Sequence, residues 1–177
     1  MIKKELSVER MEKPPAAIEN MAHDEDDFYE KEELKEETLQ FIVFRLAREW
    51  YGVAITKVKE IIKVGKVTYL PSSPEDIAGI VSLRGNILSV TDLKTIFSLP
   101  YEEPTKTARI IAVVSGILET GLLVDEVVES IEVPVSQIEP PLLTLPAEGG
   151  RYIEGQCRMG NKLVALLSVE KILEKRT

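Results

Sequence analysis

From Thr38 onward the chain is a succession of short apolar runs rich in Val, Ile, Phe and Tyr. Gly, Pro, Asn or Ser breaks them every 8 to 12 residues or so, the rhythm of an all-β barrel or sandwich. The runs predict strands near Leu39–Leu46, Tyr51–Ile55, Lys66–Leu70, Ile77–Leu83, Ile87–Thr91, Arg109–Val114, Ile117–Val124, Val127–Val133, Tyr152–Arg158 and Lys162–Leu167. Two short helices interrupt them. Asp92 is placed to cap Leu93–Phe97 by accepting the free N–H groups of its first turn. Ser168 does the same for Val169–Lys175, where Glu170 faces the positive end of the helix dipole.

The pattern repeats. Moving the chain by 69 positions lays Leu39–Ile62 over Ala108–Ile131 without a gap, so that Gly52 falls on Gly121, Val58 on Val127 and Glu60 on Glu129. A shift of 76 lays Ile77 over Ile153, Gly79 over Gly155, Asp92 over Ser168 and Ile96 over Ile172. Two ungapped blocks in the same order predict a duplicated unit of about five strands. Half one spans about residues 38–98 and half two about 108–177, and strand exchange between them is allowed. Five short strands bury little alone, so the halves are expected to share apolar surface and to leave a groove between them.

Residues 1–37 break this texture. They hold 13 acidic and 6 basic residues, a balance of −7, whereas residues 38–177 hold 17 and 16, a balance of −1. With Pro14-Pro15 and the acidic run Asp24–Asp27, this segment is expected to be a disordered, solvated tail. The folded body is nearly neutral and lacks the basic face that a nucleic-acid binder uses against phosphate. The amino-terminal MIKKELSVERMEK has no apolar run behind its basic residues, so no secretory signal is predicted. No apolar stretch is long enough to span a bilayer. A single cysteine, Cys157, suits a reducing cytoplasm.

Catalysis is hard to assemble from these residues. The one histidine, His23, lies in the acidic segment, so no Ser-His-Asp or Cys-His arrangement is available to the body. Phosphate-loop and dinucleotide glycine motifs are missing, and a lone histidine precludes imidazole-rich zinc sites. No catalytic, cofactor or metal site is predicted. The adjacent acids Asp125 and Glu126 read as a solvated hairpin edge. Arg84-Gly85 reads as a hairpin tip in which Gly85 takes positive φ. Gly52 and Gly121 read as bends at strand starts, with Gly79 and Asp92 as further structural positions. Trp50 and Tyr51, after a turn at Arg48-Glu49, read as core aromatics.

The run Ile77-Ala78-Gly79-Ile80-Val81-Ser82-Leu83-Arg84-Gly85-Asn86-Ile87-Leu88-Ser89-Val90-Thr91-Asp92-Leu93 resembles the central signature of CheW-type chemotaxis coupling proteins. Trp50-Tyr51-Gly52-Val53, Val58-Lys59-Glu60-Ile61, Tyr152-Ile153-Glu154-Gly155 and Ser168–Leu173 extend the likeness across residues 38–175. Ser82, Ser89 and Ser98 depart from the family's usual Asn, Pro and Gly. The resemblance implies a mainly β fold with short helices, built as two intertwined five-stranded SH3-like barrels. It implies a cytoplasmic, non-catalytic adaptor without cofactors, recruited to membrane-associated receptor arrays but not inserted in the membrane. The implied partners are the cytoplasmic helical tip of a chemotaxis receptor and the regulatory domain of the histidine kinase CheA, with no nucleic acid. A related motility pathway is a second use of the same adaptor, and a ligand- or nucleic-acid-binding barrel is the rival class. By the same resemblance Val58, Glu60, Arg84 and Gly85 lie at the receptor groove, with Arg84 paired to Glu60 and partly shielded. From residues alone, Glu60 is an exposed acid on a helix and Arg84 a solvated turn charge.

Overall fold

The computed structural model describes residues 35–142 and 147–175. The acidic segment predicted to be disordered lies, up to residue 34, outside the described residues. The strands are β1 (Thr38–Leu46), β2 (Glu49–Ala54), β3 (Val58–Lys63), β4 (Ile77–Leu83), β5 (Asn86–Asp92), β6 (Arg109–Ser115), β7 (Leu118–Val124), β8 (Glu126–Pro134), β9 (Ile153–Met159) and β10 (Lys162–Leu167). The helices are α1 (Leu93–Ile96), α2 (Ala147–Gly150) and α3 (Val169–Glu174), and 3-10 turns follow β2 and β8. Both predicted caps form: the Asp92 carboxylate accepts from the Lys94 amide and the Ser168 hydroxyl from the Lys171 amide.

Two sequence expectations fail in this region. Lys66–Leu70 is not a strand: only Thr68 pairs, in a single bridge to Ile80. The strand is instead β3, so Glu60 sits on a sheet edge rather than a helix. The segment Val58-Lys59-Glu60-Ile61-Ile62 is polar at two adjacent positions, which hides its alternation. Exposure still alternates along it, with Glu60 half-buried and Ile61 exposed, and a bulge lies at Lys59, where Val58 faces Val113 and Glu60 faces Ala112.

The strands form two five-stranded sheets, ordered β8-β1-β2-β10-β9 (sheet A) and β3-β6-β7-β5-β4 (sheet B). Each takes two strands from the start of one half and three from the rest of the other. The mainly β fold of two intertwined five-stranded units is therefore as expected. The exchange is symmetric to the residue. In the parallel contact of sheet B, Val90 faces Gly121, and in sheet A the matching Leu166 faces Gly52. Ile62 faces Ile110 as Ile131 faces Phe41. The Asp92 amide donates to the Asp76 carbonyl at 2.8 Å, and the Ser168 amide to that of Tyr152 at 2.8 Å.

Gly52 and Gly121 are not bends at strand starts. Both lie within strands and are buried. A Cβ on Gly121 would stand 2.4 Å from Ile110 Cγ2, and one on Gly52 would stand 3.1 Å from Leu166 Cδ2. These glycines let neighbouring side chains fill the barrel interior. Gly79 has a stronger reason: its φ is +148° and a Cβ would meet the Thr68 carbonyl at 2.4 Å.

Alternation along the strands builds three cores. Phe41, Val43, Val133, Cys157, Val164 and Leu166 fill unit A, and their counterparts Ile110, Ala112, Val64, Val81, Leu88 and Val90 line unit B. Between the sheets lies a larger shared core that includes Phe44, Tyr51, Val53, Leu93, Phe97, Ile111, Leu122, Ile153 and Ile172. Tyr51 stacks between Phe44 and Phe97, with ring centroids 6.1 and 5.0 Å away. Trp50 is only half-buried, at the rim of unit A, where the Lys162 ammonium lies 3.7 Å from its ring centroid. The turn between β1 and β2 falls at Ala47-Arg48, one residue before the expected place, with Ala47 at φ +52°.

Candidate functional site

The hairpin β4–β5 turns in two residues, Arg84 (φ +49°) and Gly85 (φ +83°), the left-handed pair that a type I′ turn requires. This turn lifts Arg84 to one end of sheet B. Strands β3 and β4 are the two edges of that sheet, and the curl of the sheet brings Glu60 of β3 under the turn. Arg84 Nη2 donates to Glu60 Oε2 at 3.3 Å. The sequence expectation placed these two residues together, and the structure does so. It corrects the shielding: the Arg84 side chain is 80% exposed and that of Glu60 is 21% exposed. Val58, half-buried, packs on the rim of the shared core rather than at the turn itself.

A second ion pair stands beside the first and was not read from the sequence. Lys59 Nζ lies 3.1 and 3.2 Å from the two oxygens of Glu119 on β7. Lys59 is exposed and Glu60 half-buried, so these two consecutive charges of β3 reach different partners. Leu83, Leu88 and Ile87 complete a shallow depression with the four charges, and Ile87 is 75% exposed. The depression thus combines an exposed apolar side chain with two satisfied ion pairs. No cluster of metal-binding side chains occurs among the described residues.

Two further ion pairs tie the chain where it crosses between sheets. Asp125 follows β7 and is not a solvated edge acid: its Oδ1 lies 2.8 Å from Lys94 Nζ and its Oδ2 accepts from the Ala47 amide at 2.7 Å. Lys94 is buried, and its contact with Asp125 is Coulombic rather than a well-directed hydrogen bond. In the other half Glu170, the counterpart of Lys94, pairs with Lys57, which matches Glu126 rather than Asp125. The Lys57 bond holds the Glu170 carboxyl below its usual range. Burial, and then Glu170 itself, push nearby Glu154 up. Burial also raises the Cys157 thiol, which packs inside unit A where Val81 packs inside unit B.

The model of the CheW-like domain family matches residues 40–177. The chain belongs to the CheW-like family. It is 32% identical to the chemotaxis protein CheW of Helicobacter pylori over 145 residues, which cover 82% of this chain and 87% of that protein. It is 31% identical to CheW of Bacillus subtilis over 138 residues, 78% of this chain and 88% of that one. FrzA of Myxococcus xanthus is 29% identical over 136 residues, covering 76% and 85%. The crystal structure of the scaffolding protein TtCheW from Thermoanaerobacter tengcongensis superposes with a TM-score of 0.70 at 34% identity, covering 77% of this chain and 88% of that one. The fold is thus the paired SH3-like arrangement of the CheW-like family, and a scaffold role in chemotaxis signalling comes with that membership. No helix among the described residues is long and apolar enough to cross a membrane.

Proposed function

We propose that this protein couples methyl-accepting chemotaxis receptors to the histidine kinase CheA, binding both and catalysing nothing. The observation that carries this reading is the turn at Arg84-Gly85 with its Glu60 partner, set within a CheW-like chain. Arg84, Glu60, Gly85 and Val58 form the receptor contact, which receives the helical tip of the receptor. The kinase's regulatory domain takes a different barrel surface. The protein works in the cytoplasm and is drawn to the membrane only through receptor arrays. FrzA among the relatives favours a second use of the same adaptor in a related motility pathway.

The test is reconstitution from purified chain, receptor-bearing vesicles and kinase. Sedimentation should recover this chain and the kinase together, and neither should pellet with receptor-free vesicles. Arg84→Ala and Glu60→Ala should each weaken receptor binding and leave kinase binding close to wild type. Because the two side chains touch, a double-mutant cycle on receptor affinity should show coupling of about 0.5–3 kcal/mol. Strict additivity would remove the pairing from the mechanism, and unchanged receptor affinity in both single variants would remove the site.

A further inference from the structure

We propose that two copies of this chain can exchange halves, residues 38–98 of one copy completing both sheets with residues 108–177 of the other. The loop 99–107 is the hinge. Every strand pairing that joins the halves already runs between separate stretches of chain: β1 with β8, β2 with β10, β3 with β6 and β5 with β7. In an exchanged pair the same registers, glycine contacts and cores re-form between two copies. The two arrangements then differ in the hinge and in the entropy of association, the situation in which swapping is inexpensive.

The hinge is suited to opening. Residues 100–107 are all exposed and belong to no strand or helix. Few bonds hold the loop: the Leu99 amide donates to the Lys94 carbonyl, the Thr107 hydroxyl to that of Asp125, the Ala108 amide to that of Thr105 and the Arg109 guanidinium to that of Lys106, and Glu102 lies 3.9 Å from Lys94. A cavity of about 260 Å³ remains beneath Tyr101, Glu102 and Pro104, so the loop does not pack down on unit B. Pro100 and Pro104 also bias Leu99 and Glu103 towards extended backbone.

In the closed chain the linker keeps the halves at an effective concentration of about millimolar, so the single-copy form prevails in dilute solution. Strain in the loop or high concentration favours exchange. Arg84 and Glu60 both lie in half one, so each unit of an exchanged pair keeps a complete turn and its partner. The pair would therefore present two docking sites joined by covalent chain, which a single copy does not.

The test uses the full chain with Cys157→Val, the residue found at the matching position 81, and with Thr91→Cys and Thr120→Cys. The hydroxyls of Thr91 and Thr120 lie 2.8 Å apart across β5 and β7, one in each half. A second variant additionally lacks residues 100–106. Both are refolded from denaturant under reduction, oxidised, and measured by light scattering and non-reducing gel. The shortened chain should have about twice the mass of its 19.8 kDa parent and an inter-chain disulfide. A folded, single-copy shortened chain with an intra-chain disulfide overturns the proposal. If the shortened chain fails to fold, the full-loop variant decides. An inter-chain fraction that rises with refolding concentration supports exchange, and intra-chain links alone at every concentration refute it.

Discussion

The two units of this protein are alike inside and unlike at their ends. Their cores correspond position by position, Phe41 with Ile110, Cys157 with Val81 and Leu166 with Val90, and their strands pair in the same register. Their turns do not correspond. Arg84-Gly85 closes one hairpin, whereas Gly160-Asn161 closes the other, and Glu129, the counterpart of Glu60, is exposed with no ion pair among the described residues. Where unit B has Glu119 facing Lys59, unit A has Trp50 beneath Lys162. The crossover ion pairs differ too: Lys94 pairs with Asp125, whereas its counterpart Glu170, opposite in sign, pairs with Lys57, which matches Glu126. Volume and periodicity must be kept for two halves to interlock, while surface charges are free to diverge and so acquire separate partners.

The crossover pairs break the likeness most sharply. Asp125→Ala leaves the buried Lys94 ammonium with only the exposed Glu102 carboxylate at 3.9 Å and should cost up to about 3–5 kcal/mol in a urea unfolding curve. Lys57→Ala leaves Glu170, whose side chain is 40% exposed, and should cost only about 0–1 kcal/mol. Equal costs would show that the two crossovers are held alike.

Paired glycines come next. Gly79→Ala forces a side chain into a left-handed backbone and against the Thr68 carbonyl, with strain of about 1–3 kcal/mol. Gly155→Ala meets the Glu139 carbonyl only at 3.2 Å and carries no such φ, so its melting temperature should fall less. The reverse order would mean that the β4 edge yields more readily than the β9 edge.

Acid sharpens the contrast between crossovers. Glu170's carboxyl is depressed, so the stability it adds is present above the ordinary glutamate range, about pH 4.3, and lost as pH falls through its lower folded value. Glu154 is raised, so its unfavourable charge is relieved as pH falls. The stability difference between wild type and Lys57→Ala should therefore shrink towards zero below about pH 4, and a constant difference down to pH 2 would contradict the ion pair.

The smallest effects are expected at the turns and helix ends. Arg84→Ala should alter stability by about 0–1 kcal/mol, because its guanidinium is largely in water. Ser98, at φ +54° after α1, holds a conformation that glycine adopts freely, whereas Lys175 after α3 is right-handed. Ser98→Gly should leave stability level or raise it by up to about 1 kcal/mol. A clear loss would show that the Ser98 side chain is needed.

How much of this was legible follows from what each residue depends on. Ile77–Leu83 and Lys162–Leu167 were bounded correctly because alternation and flanking turn residues are local signals. Asp92 and Ser168 were recognised as caps for the same reason. The strand at Val58–Lys63 escapes the sequence pattern because Glu60 puts a charge at an inward position and Ile61 an apolar side chain at an outward one, and the few apolar residues of Lys66–Leu70 imitate a strand. Lys59–Glu119 and Lys94–Asp125 join residues far apart in the chain, and no local pattern in the sequence links them.

By itself the sequence determined the periodicity, the duplication, the core positions and the turn at Arg84-Gly85, all of which rest on neighbours in the chain or on the repeat. Periodicity and repeat leave open whether the halves interlock or stand side by side, since strands of either half can pair in more than one way until side chains fill a core; the family resemblance pointed to interlocking, and the tertiary structure decided which strands exchange. It decided the work of Gly52 and Gly121, whose missing Cβ matters only once another strand lies against them. It also decided how exposed Arg84 is, because shielding depends on what surrounds the turn in space and not on the residues beside it.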